Sequence, residues 1–147
     1  MQNTFLTGII IASLLIFFKD KKYIPGIFTG KTGSELAILD SSKWYLTRIH
    51  GDTGRTEITR KKAFIRFNEA KGSAGGNGSC NSFGSAITVN GNTISFSNIF
   101  STKMYCDEVQ AAENIFFGRL QKVTRYEVKG KTLLLLDEDK VVLEFEK

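Results

Sequence analysis

The last third of the chain leaves little choice of fold. Three β-prone runs, Thr124-Arg125-Tyr126-Glu127-Val128, Thr132-Leu133-Leu134-Leu135-Leu136 and Val141-Val142-Leu143-Glu144-Phe145, are joined only by Lys129-Gly130-Lys131 and Asp137-Glu138-Asp139-Lys140. Joints this short admit only antiparallel neighbours, because a parallel pair needs a crossover of about a dozen residues or more. The same logic holds upstream, where Asn90-Gly91-Asn92 separates Ala86-Ile87-Thr88-Val89 from Thr93-Ile94-Ser95-Phe96. Asn-Gly between two such runs is a hairpin signal, since the tight turn needs positive φ at its centre.

Further strands are expected ahead of that hairpin. Lys43 to Ile49 alternates apolar with polar, and Lys62 to Phe67 supplies a second run. Gly72 to Ser79 reads as a short Gly-rich third strand where backbones come close. The period changes once. From Asp107 to Leu120, Val109, Ala112, Phe116 and Leu120 recur every three or four residues, with Asp107 and Glu108 expected in the first turn. The chain therefore reads as mainly β (α+β): an antiparallel, barrel-like sheet of about seven to eight strands with one α-helix packed against it.

Composition agrees with a single core. Of 147 residues, 41% are hydrophobic, including twelve Phe, so a core can close without a metal or a dense disulfide framework. The net charge of +5 is uneven: Lys19 to Lys71 holds twelve Lys or Arg against six acids, whereas Gly72 onward holds eight against nine. No basic helical stripe and no aromatic-plus-basic strand motif accompanies the excess, so no nucleic-acid partner is expected.

Met1 to Phe18 carries no charged side chain and stops at Lys19-Asp20-Lys21-Lys22. It reads as a signal-peptide-like or membrane-anchor segment, short for a span of about 20 residues. No basic residue precedes the run and no small-x-small site follows it, which favours an uncleaved anchor, and export is the expected route. The lysines behind it pull the other way under the positive-inside tendency. Residues 19–40, with Pro25, Gly26, Gly30 and Gly33, read as a linker to a domain over residues 41–147.

Four landmarks in order carry a family resemblance: Trp44-Tyr45-Leu46, then Gly78-Ser79-Cys80-Asn81, then Thr102-Lys103-Met104-Tyr105-Cys106 leading into a helix with Glu113, and the closing strands from Val128 to Phe145. The chain resembles the META domain family, which includes the HslJ-like heat-shock lipoproteins. Two positions depart from the usual pattern: Ser79 replaces a Gly before the first Cys, and Tyr105 an Ala before the second. The resemblance implies a lipocalin-like barrel topology, a bacterial envelope location and a link to stress or antibiotic tolerance. It implies no enzyme activity and no cofactor. Trp44, Leu46, Asn81, Thr102, Met104 and Glu113 are the motif residues.

Cys80 and Cys106 are the only cysteines, and both fall in family motifs. In an exported protein they are expected to form a disulfide; in the cytoplasm they would stay thiols. Two Cys and the single His50 are too few ligands for a metal site, and His50 at the entry to a Gly-rich turn reads as a solvated loop residue, so no catalytic group is expected. Gly26 to Thr32 imitates a phosphate loop with the wrong spacing, and Asp137-Glu138-Asp139 reads as a solvated turn, not a calcium loop. Arg60-Lys61-Lys62 could meet anionic lipid or simply guard a strand start. Two functions are expected: an envelope module, tethered to the membrane through Met1 to Phe18, that engages a protein partner, or a barrel carrying a small apolar ligand unless Phe64, Phe67, Phe96 and Phe145 fill it.

Overall fold

The structure, a computed structural model, describes Leu39, residues 42–51, the backbone of Thr56–Glu57, and residues 63–147. The Met1 to Phe18 segment, Gly26 to Thr32 and Arg60-Lys61-Lys62 lie outside the described residues. Among the described residues no helix is long and apolar enough to cross a membrane.

The elements follow in the order β1 (Trp44–His50), β2 (Thr56–Glu57), β3 (Phe64–Asn68), a 3-10 turn (Glu69–Lys71), β4 (Ser73–Asn77), β5 (Ser82–Asn90), β6 (Thr93–Ser101), α1 (Gln110–Leu120), β7 (Arg125–Lys129), β8 (Thr132–Asp137) and β9 (Lys140–Glu146). All pairings are antiparallel. Eight strands, β1 and β3 to β9, close a barrel-like ring through β1 and β9, and β2 adds to the far end of β1. Alternation decides what faces inward: β1 buries Trp44, Leu46 and Ile49, β8 buries Leu133 and Leu135, and β9 buries Leu143 and Phe145. The jump from Leu46 to Ile49 reflects a bulge between Leu46 and Arg48.

Phe64 does not help to fill the barrel. Ile65 and Phe67 take the inward positions of β3, and Phe64, three residues from Phe67 and so on the opposite face, packs outside against Tyr45 at 6.2 Å. Phe67, Phe96 and Phe145 are buried as expected.

The Gly-rich third strand is confined to Ser73–Asn77, and Gly76 explains its composition. A Cβ there would overlap the carbonyl oxygen of Phe64, so only glycine lets β4 lie against β3 at this point. The ring is thin in one place. Only Thr93 and Arg125 pair between β6 and β7, and α1 follows β6 to bury Phe116 and Leu120 in the core.

The helix begins later than its sequence pattern predicts. Asp107 and Glu108 lie in a turn ahead of it, where the Cys106 carbonyl accepts the N–H groups of Val109 and Gln110 (3.2 and 2.9 Å), and Val109, at φ −122° and ψ −5°, is the non-helical residue from which α1 starts. The buried stripe is Glu113, Phe116 and Leu120, with Val109 and Ala112 only half-buried. Leu39 is buried too, and its carbonyl accepts the Trp44 indole N–H at 3.4 Å, so the core draws on the stretch read as linker.

Candidate functional site: the Asn81–Glu113 node and its cleft

The family-motif residues fall into two groups. Trp44 and Leu46 are core side chains of β1, with the Lys147 ammonium 4.5 Å above the Trp44 ring. Asn81, Thr102, Met104, Glu113 and the two cysteines meet at one end of the barrel.

Glu113 sits at the centre of that meeting, 1% exposed. Its Oε1 accepts the backbone N–H groups of Cys80 (3.1 Å) and Asn81 (2.6 Å), and its Oε2 accepts the Asn81 Nδ2 (2.6 Å). A buried carboxylate without such donors would be expensive, and here each oxygen has at least one. Gly78 makes the approach possible: a Cβ on it would stand 2.7 Å from Glu113 Oε1 and 2.9 Å from the Phe117 ring.

Asn81 is satisfied at every polar atom. Its Oδ1 accepts Thr102 Oγ1 and the Met104 N–H, both at 2.8 Å; its Nδ2 also donates to the Met104 carbonyl at 3.0 Å; its own carbonyl accepts the Gly78 N–H at 2.8 Å. One amide thus ties the turn before β5 to the segment that follows β6 and to the helix. Networks satisfied this fully hold one geometry.

The Cys80–Cys106 disulfide locks the same junction, with Cα atoms 6.0 Å apart and a sequence separation of 26. The turn that presents Cys80 has Ser79 at φ 105°, its N–H bonded to Asn77 Oδ1 at 2.8 Å. Glycine, the family's usual residue there, holds such a φ without strain. Tyr105, the second departure, points outward with its hydroxyl 2.9 Å from Asp107 Oδ1, so an alanine position becomes an exposed aromatic without disturbing the node.

Beside the node opens a cleft of about 370 Å³, whose walls include Lys103, Met104, Tyr105, Asn114 and Phe117. Three of the largest exposed apolar side chains lie here or close by in sequence: Phe100 (69% exposed), Met104 (58%) and Tyr105 (77%). Phe100 covers Gly84, the residue opposite it on β5.

The profile of the META domain matches residues 37–147. The chain belongs to the META domain family. The match begins at residue 37, which takes Leu39 into the META domain in keeping with its burial. No curated protein matches the chain. Among solved structures, the META domain here is similar to a protein from Burkholderia xenovorans determined by NMR (17% identity, 75% of this chain and 83% of that one, TM-score 0.60). It is also similar to a DUF4847 family protein from Bacteroides vulgatus (16% identity, 75% and 94%, TM-score 0.52). Identities this low support the shared fold alone.

The other sequence candidates are ordinary parts of the META fold. His50 ends β1 instead of lying in the loop, half-buried with Nε2 3.5 Å from Glu144, which Arg48 also approaches at 3.9 Å. Asp137-Glu138-Asp139 is the β8–β9 turn, with Asp139 on Arg125 at 2.7 Å and the Glu138 N–H on Thr124 Oγ1 at 2.8 Å. Among the described residues no cluster of His, Cys, Asp or Glu is arranged to hold a metal. Sequence reasoning missed the depth of Glu113's role and the exposure of Met104. The signal was Gly78, whose missing side chain marks where the carboxylate enters.

Proposed function

We propose that this META domain is a non-enzymatic binding module of the bacterial cell envelope that engages a protein partner through the rim of the disulfide-bounded cleft. The observation that carries the reading is the contrast at Met104. Its backbone N–H and carbonyl are both held by buried Asn81, while its side chain and that of Tyr105 stand in solvent. Apolar side chains carried on a backbone that is fixed before binding spare the cost of ordering that backbone on contact, which is one way interface anchors gain affinity. The disulfide supports an exported, oxidised setting, since cytoplasmic reductants keep such pairs open. The membrane tether through Met1 to Phe18 and the setting of stress or antibiotic tolerance rest on sequence and on family resemblance.

The small-ligand carrier is less well supported, because Phe67, Phe96, Phe116 and Phe145 occupy the described interior. The test is in-cell crosslinking of the full chain compared with Met104→Ala/Tyr105→Ala. We expect a defined crosslinked species that the double variant loses while keeping its disulfide and thermal midpoint. Identical crosslinks from both chains would contradict the reading.

A further inference from the structure

A second cleft, of about 680 Å³, lies away from the disulfide at the start of β1, lined by Ser42, Lys43, Arg66, Asn68, Ser73 and Gly75 among others. Its charges are arranged unusually. Trp44 pairs with Ile65 and Tyr45 with Phe64, so one step back in the same register sets Lys43 opposite Arg66 on the outer face. The Lys43 ammonium and the Arg66 guanidinium share the ring of Phe64, at 4.6 and 6.0 Å from its centroid. Neither makes an ion pair with a carboxylate among the described residues. Like charges directly opposite across strands are unfavourable, and no carboxylate among the described residues offsets them.

The next residue in the row is Gly75, opposite Arg66, which leaves bare backbone where a side chain would block the space. Ser42, Asn68 and Ser73 add polar groups around it. We infer that this cleft is an anion site that takes a phosphate monoester. The charge balance selects that class: a monoester carries about −1.5 to −2 at neutral pH, enough to face two cations, where a carboxylate brings one charge. Arginine's planar fork matches phosphate oxygens in pairs, and lysine serves as a point charge beside it. The volume falls within the roughly 300–1,000 Å³ of small-molecule sites, so the phosphate would be borne on a larger molecule. The source is either a soluble monoester or the headgroup of phosphatidic acid.

The test uses the full chain in zwitterionic micelles, followed by ¹⁵N NMR. One arm titrates inorganic phosphate and the other dopes the micelles with phosphatidic acid. Saturable shifts at Ser42, Lys43, Arg66 and Asn68 in the first arm point to a soluble monoester, and in the second arm only to the lipid. Lys43→Gln and Arg66→Gln should each weaken binding by about tenfold or more, the usual size for losing a charge-assisted contact. No saturable shift in either arm, or variants that bind as the wild type does, would overturn the inference.

Discussion

At Ser79 the backbone stands at φ 105°, and the side chain gains no contact that requires serine there. Ser79→Gly should therefore stabilise the domain by about 1 kcal/mol, within the 1–3 kcal/mol cost of a non-glycine residue in a sparsely populated region. The check is equilibrium denaturation; an unchanged midpoint would mean that the strain is absent. Glu113→Gln should act in the opposite direction. Asn81 Nδ2 and two backbone N–H groups all donate toward Glu113, so an amide there sets one donor against another in a buried site, at about 1–3 kcal/mol. Asn81 cannot relieve this by turning over, because its Oδ1 already accepts Thr102 and Met104.

At the level of elements, two independent devices hold α1. Phe116 and Phe117 pack on Phe83 at 5.6 and 5.4 Å, and Phe116 reaches Phe145 at 6.4 Å, while the disulfide and Asn81 hold the segment that leads into the helix. Reducing the disulfide should lower stability by about 3–4 kcal/mol in the chain-entropy account, since the bond joins residues at a sequence separation of 26. Hydrogen exchange should show where. The amides of Met104, Val109 and Gln110 should lose protection on reduction, and those of Leu120 and Leu135 should keep it; equal loss everywhere would mean that the bond supports the whole core. Much at this scale was legible in sequence. Short joints and period-2 runs gave the β5–β6 hairpin and the β7–β8–β9 meander, since those pairings are local. Phe64 was misread because residue type alone does not tell which face of a strand a side chain takes. The late start of α1 follows the non-helical backbone of Val109, which no side chain in that stretch announces.

For the whole molecule, closure is the long-range event. β1 meets β9 through Tyr45–Glu146, Leu46–Phe145 and Ile49–Leu143, and Thr47 Oγ1 donates to the Glu144 carbonyl across 97 residues of sequence. Deleting β9 opens the ring and removes Val142, Leu143 and Phe145 from the core, so the cooperative thermal transition should disappear. No sequence pattern announces this pairing, because its two strands stand at opposite ends of the domain. The Asn81–Glu113 node was legible only as family motifs, since its chemistry appears once the fold brings residues 32 apart into contact.

We propose that this META domain works as an oxidised module whose node and disulfide present one rim outside the cytoplasm. Thiol titration of the protein taken from its native cell fraction under denaturing conditions, with and without reductant, tests it most directly. The account predicts no reactive thiol before reduction and two after it; two free thiols before reduction, in protein from a soluble cytoplasmic fraction, would contradict it.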